Sequence, residues 1–343
     1  MISTSHIVIM LISIFALNFS NMVQCGTFET NTGIIKGIKD IKISKIINIR
    51  HVTLAILFFI LLASRNLIVL SALSAVFFCS ILLEFGYRDP RYAAHKTATF
   101  FIIASVFLGI AVNITSHAVS SLLLAISFNM LLTSYPFNSW AEPFFMRAPF
   151  LLTSFLLIIW RPLVVSIFLY HFQKHNLTIC LESYITKIAI VLSLFFVPIL
   201  FFAKTNIKRL AASMICWQSG YLLIFLTQLN QQKQNLIILM AITQGIFTSI
   251  VSHVAHSLEK KYKNDTISNL EGLFKSDYFL ATFMISALIF LILIPIVFAY
   301  RNGTAILQTK QAVVVLSSII LPSIFCYKIY KIMSQKTYTD SNQ

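Results

Sequence analysis

Apolar runs of about 20 residues, separated by short polar stretches, recur along the whole chain. They fall at about 5–23, 45–63, 66–85, 97–116, 119–135, 148–172, 184–203, 210–228, 235–257, 278–300 and 311–331. A run of that length spans the hydrocarbon core of a bilayer as one α-helix. The pattern therefore predicts an all-α polytopic membrane protein with about 10–11 transmembrane helices. The alternation over ten-residue strands that marks a transmembrane β-barrel is absent. Three parts are expected: an N-terminal apolar segment and basic loop (1–44), a transmembrane domain (45–331) and a polar C-terminal tail (332–343). The first run lacks a basic lead and a clear small-residue cleavage site, so it is expected to be an uncleaved helix rather than a signal peptide.

Composition agrees with this pattern. The chain has 343 residues, of which 58% are hydrophobic and 11% charged, and its mean hydropathy is +0.84. A soluble domain of this length cannot bury that much apolar surface. A net charge of +15 would suit a nucleic-acid partner, but the basic residues sit in short loops, where they set membrane orientation. With loop 36–50 in the cytoplasm, 19 Lys and Arg fall on the cytoplasmic side and 5 on the other. The remaining two, Arg161 and Lys187, lie within apolar runs and count on neither side. The expected partners are the bilayer and other membrane proteins, with no nucleic acid. The expected location is the inner (cytoplasmic) membrane, multi-pass, or an organellar inner membrane. The five cysteines, at 25, 79, 180, 216 and 326, are scattered and imply neither a disulfide framework nor a metal site. No phosphate-binding loop, zinc signature or nucleophile motif is present, so no cofactor, metal or catalytic residue is expected.

Two prolines interrupt or border apolar runs: Pro136 in LLTSYPFNSWAEPFFMRAPF and Pro295 in LILIPIVFAYRNG. Proline removes a backbone donor and breaks the helical ladder. In a membrane the freed carbonyls must face protein or water. Each proline marks either a discontinuous helix beside an ion path or a plain helix end. Arg161, mid-run, is expected to face the bundle interior with a partner. It serves either as an ion-path residue or as a structural arginine bonded to carbonyls, with Pro162 freeing a carbonyl beside it. Lys187, near a run's end, suits an ion path or snorkelling to the interface. His253 titrates near neutral pH or is an interfacial, hydrogen-bonded histidine.

The stretch FAKTNIKRLAASMICWQSGYLLIF, residues 202–225, resembles a motif of the antiporter-like membrane subunits of respiratory complex I (NADH–quinone oxidoreductase) and of Mrp-type cation/proton antiporters. Asn206 stands at the family's Asp. Ile207, Lys208, Arg209, Leu210 and Ala212 follow its pattern, and Gly220 and Tyr221 close it. YPFNSWAEPFFMRAPF matches a second motif through Pro136, Phe137, Trp140, Ala148 and Pro149, with Asn138 at the family's His. Residues 66–87 resemble the family's fifth helix with its Gly86–Tyr87 exit. Residues 242–274 resemble its eleventh helix and following loop. The resemblance covers roughly 45–300. It implies an antiporter-like bundle with two inverted five-helix repeats and broken helices near Pro136 and Pro295. On that map the chain is a shortened, divergent member that keeps the fourth to thirteenth family helices and one further N-terminal segment.

The family's mechanism rests on ionisable groups buried at mid-membrane, where paired charges shift each other's proton affinity. Carried over by motif, the fifth-helix Glu falls on Ala75 and the seventh-helix Lys on Leu131. Neither titrates. The eleventh-helix His falls on Gln244, which hydrogen-bonds but does not ionise near neutral pH. No Lys or Glu follows Pro295. Arg161 lies within about one residue of the eighth-helix Lys, but a guanidinium does not release its proton in practice. The ion-path candidates are thus Arg161, Lys187, Gln244 and His253. Pro136, Trp140, Pro149, Lys208, Arg209, Gly220 and Pro295 are expected to be structural. The expected function is that of a membrane subunit resembling the proton-translocating subunits of NADH–quinone oxidoreductase, with pumping impaired or lost. As an enzyme it is at most a subunit, with no catalytic centre of its own. A non-catalytic scaffold or assembly subunit and an Mrp-type antiporter component are the alternatives.

Overall fold

The computed structural model describes residue 67 and residues 91–114, 116–148, 150–175, 183–227, 234–262, 266–301 and 310–334. The runs at 5–23 and 45–63, the run at 66–85 apart from Leu67, and the family positions Ala75 and Pro149 lie outside the described residues.

The described chain is helical. Helix α1 is Arg91–Asn113, α2 is His117–Leu132 and α3 is Ala141–Arg147. Helix α4 joins Phe150–Phe155, a π-helical turn Leu156–Trp160 and Arg161–His175. Helix α5 repeats that plan with Tyr184–Val191, a π turn Leu192–Phe196 and Val197–Phe201. Then come α6 (Ile207–Thr227), α7 (Gln234–Tyr262), a 3-10 turn Ile267–Leu270, α8 (Leu273–Ser276), α9 (Tyr278–Arg301) and α10 (Lys310–Ser334). Among the described residues, six helices are long and apolar enough to cross a membrane, in α1, α4, α5, α6, α7 and α9. This is the polytopic all-α bundle that the apolar runs predict.

Helix α6 is the axis. It is buried along nearly its whole length, as a helix apolar on every side must be, and packs against α3, α5 and α7. Helices α1 and α9 lie outside, with Ile102, Val106 and Ile110 exposed on one and Phe279, Phe283 and Phe290 on the other. In a membrane those faces meet lipid. The chain's three tryptophans, Trp140, Trp160 and Trp217, are all buried.

The two expected breaks have different outcomes. At Pro136 the helix does stop. Thr133 takes a left-handed conformation (φ 64°) and Tyr135–Pro136 is cis, so regular helix resumes only at Ala141. At Pro295 there is no break, because α9 runs through it from Tyr278 to Arg301. A proline inside a helix costs one ladder bond, and in a membrane the carbonyl it frees must face protein or water.

The π turns are a further irregularity. Each precedes an X-Pro pair, Arg161–Pro162 and Val197–Pro198. The Arg161 N–H bonds to Leu156 O and the Val197 N–H to Leu192 O. The following proline has no N–H, so the carbonyls of Leu157 and Ser193 are left outside their own ladders. A glycine faces each turn. A Cβ on Gly245 of α7 would run into the Leu157 carbonyl oxygen, and one on Gly220 of α6 would lie 2.7 Å from Leu194 Cγ and 3.1 Å from Ser193 Cβ. The glycines let α7 and α6 approach closely where α4 and α5 bulge.

Candidate functional site: a buried polar seam around Arg161

The break after α2 exposes backbone groups in an apolar interior, and several of them find partners. Ser134 N donates to Asn129 O at 3.1 Å, and Ser134 Oγ reaches Asn129 Oδ1 at 2.8 Å. Asn129 Nδ2 donates to Ala125 O at 2.7 Å and to Thr186 Oγ1 of α5 at 3.3 Å. Tyr135 N donates to Ser193 Oγ at 2.9 Å, within the second π turn. The Leu132 carbonyl, at the helix end, lies 2.5 Å from Ser219 Oγ of α6. That hydroxyl is also 2.9 Å from Ile215 O, and its single proton serves one of the two acceptors.

Arg161 reaches the same place from α4. Its side chain is 2% exposed. Nη2 donates to Ser219 Oγ at 2.9 Å and to Ile215 O at 3.3 Å, and Nη1 to Gln218 Oε1 at 3.2 Å. Its acceptors lie on α6, not at the carbonyl freed by Pro162. Gln218 Nε2 donates to Thr248 Oγ1 of α7 at 2.9 Å, and Thr248 Oγ1 donates to Gln244 O at 2.8 Å. Further along α7, Ser249 pairs with Ser154 at 2.8 Å and Ser252 lies 3.5 Å from Thr153. The seam thus links α2, α5, α6, α4 and α7 through hydroxyls, amides and one guanidinium. Among the described residues the acceptors of Arg161 are all neutral.

Leu131 is 2% exposed within the apolar core and contributes no charge. Gln244 is fully buried on the seam face of α7, one turn from Thr248, and both of its amide atoms lack a hydrogen-bond partner. Two other ion-path candidates do not join the seam. Lys187 is exposed, with Nζ 5.7 Å from the Tyr184 ring centroid. His253 is half-buried, its ring 4.9 Å from that of Phe150.

The basic residues before α6 form a separate cluster at one end of the bundle. Lys208, 3% exposed, lies 2.6 Å from Glu259 of α7 and 3.5 Å from Met146 O. Glu142 of α3 takes Lys204 at 2.6 Å and Arg209 at 3.3 Å. Ile267 N donates to Thr205 O at 2.8 Å, which fastens the loop after α7 to the loop before α6. Trp140 packs edge-on against Phe101 at 4.7 Å and Phe144 at 5.8 Å. Pro295 is buried within α9.

Sequence reasoning placed Arg161 inside but missed Asn129, Ser193, Gln218, Ser219 and Thr248. One signal was available: Gln244, Thr248 and Ser252 recur every four residues along an apolar helix, which puts them on one face.

Fold and seam together define a polytopic membrane protein with a broken helix and a polar interior centred on one arginine. No family model matches the chain. It is 26% identical over 263 residues to NADH-quinone oxidoreductase subunit N 2 of Hydrogenobaculum sp. (strain Y04AAS1), covering 69% of this chain and 56% of that protein. The chain thus spans little more than half the length of the curated relative it matches. In structure it is similar to a chain of the membrane-bound sulfane sulfur reductase (MBS), an archaeal respiratory membrane complex. The TM-score is 0.62 at 17% identity, over 82% of this chain and 67% of that one. It is also similar to a chain of respiratory complex I from Thermus thermophilus, with a TM-score of 0.55 at 17% identity, over 78% of this chain and 64% of that one. The resemblance carried by the motifs is therefore matched in sequence by that relative and in fold by those two chains.

Proposed function

We propose that the chain is a membrane-embedded subunit of a larger respiratory assembly and serves there as a scaffold that does not pump protons by itself. The carrying observation is the bonding of Arg161. Its cation is buried and, among the described residues, is held by a glutamine, a serine and a carbonyl. Proton relay through a bundle of this kind needs groups that gain and lose a proton as their neighbours change charge. A guanidinium keeps its proton, and apolar Leu131 stands where the resemblance puts a lysine. The seam instead ties the ends of a broken helix to its neighbours. The similar proteins come from multi-subunit respiratory complexes, which supports other membrane subunits as partners. The bias of basic loops puts the Lys208 end in the cytoplasm, with the chain in the inner membrane.

The test is extraction of the tagged chain from its native membrane in mild detergent, followed by mass spectrometry and reconstitution into liposomes. Co-purification with respiratory-complex subunits, without proton flux from the isolated chain, is expected. Flux that disappears in Arg161→Ala would overturn the scaffold reading. Purification with Mrp-type subunits would replace the respiratory assembly by a cation/proton antiporter.

A further inference from the structure

We infer that the Arg161 end of the seam binds a small monovalent inorganic anion of the chloride class. The inference starts from charge. Arg161 carries a full positive charge, 2% exposed, inside a bundle whose outer face is apolar. A buried ion is costly unless it is paired. Yet among the described residues none of its bonded acceptors is a carboxylate. Glu142 and Glu259 are engaged with Lys204, Lys208 and Arg209 at the end of the bundle.

The geometry adds unused donors. The guanidinium offers five N–H groups and places three of them on Gln218, Ile215 and Ser219. Among the described residues its Nε–H has no partner. Gln244 is 0% exposed and its Nε2 also lacks a partner. It lies on the face of α7 that carries Thr248, and Thr248 is bonded to Gln218, which is bonded to Arg161. Positive charge with unfilled N–H donors at buried side chains is what a partly dehydrated anion requires. One net charge selects a monovalent ion. Sulfate or phosphate would bring excess negative charge and need more donors than the site holds. The anion would neutralise the arginine that fastens α4 to α6. This does not depend on which assembly holds the chain.

The test uses the full chain, with any partners that co-purify, in lipid nanodiscs at fixed ionic strength with gluconate replaced stepwise by chloride. The thermal midpoint is read from tryptophan fluorescence. A saturable rise with chloride and with bromide, but not with sulfate, is expected. Arg161→Gln should lose the rise, whereas Lys187→Gln, at an exposed lysine, should keep it. Gln244→Leu should raise the half-saturating chloride concentration roughly tenfold, the worth of one hydrogen bond to a charged group. Equal midpoints in chloride and gluconate for the wild type, or an undiminished chloride response in Arg161→Gln, would overturn the proposal. If Arg161→Gln does not fold, an unchanged half-saturation in Gln244→Leu would overturn it.

Discussion

Arg161 was legible from the sequence as soon as the apolar runs were drawn. A charge in the middle of such a run has to be inside and bonded. Its acceptors were not legible. Gln218, Ser219 and Thr248 are short or uncharged side chains in apolar helices, and nothing local says which neighbour they meet. The structure shows that Gln218 is the hinge of the cluster, accepting from Arg161 and donating to Thr248. Gln218→Leu removes the acceptor of a buried cation and leaves one Arg161 N–H unsatisfied. A loss of about 2 kcal/mol is expected, in the range for hydrogen bonds to charged groups. Denaturant unfolding in mixed micelles measures it. A loss below about 0.5 kcal/mol, the low end for an ordinary hydrogen bond, would mean that water takes the glutamine's place.

Helices were read from run length, and the runs from 97 onward each meet a helix. Two details depended on packing and were not readable. Proline was expected to break the chain at two places, but the physical outcome depends on what its neighbours satisfy. At Pro136 the released groups are taken by Asn129, Ser134, Ser193 and Ser219, whereas at Pro295 the helix carries on. The π turns depend on an arginine or valine preceding proline and on the glycine opposite, 84 residues apart in one case and 23 in the other. The two glycines should differ in cost. A methyl at Gly245 meets fixed backbone at Leu157, so α4 and α7 must separate. A methyl at Gly220 meets a leucine side chain that can rotate. Gly245→Ala should therefore lose about 2–3 kcal/mol, at the upper end for overpacking, and Gly220→Ala about 1 kcal/mol. Thermal scans of both variants give the order, and a reversal of it would refute the close approach of α7 to Leu157.

At the scale of the whole chain, the loop charges set the expected orientation, and the cluster at Lys204, Lys208 and Arg209 ties that end of the bundle together. Two glutamates and three cations join α3, α6 and α7 there. If that end lies in the cytoplasm, a fluorescent protein fused after Gln343 should fluoresce in cells, and alkaline phosphatase fused at the same place should be inactive. The opposite pair of results would invert the topology and put the cluster on the far side of the membrane.

Membrane proteins commonly set tryptophan at the lipid headgroups. Here Trp140, Trp160 and Trp217 are inside, and tyrosines such as Tyr184, Tyr278 and Tyr327 take the exposed positions. Two of the indoles flank the broken helix and the arginine: Trp140 follows the break and Trp160 adjoins Arg161. The protein's ultraviolet emission is thus a view of its interior rather than of its solvent. Its colour and lifetime follow the state of the bundle's centre, and no dye needs to be attached to see it.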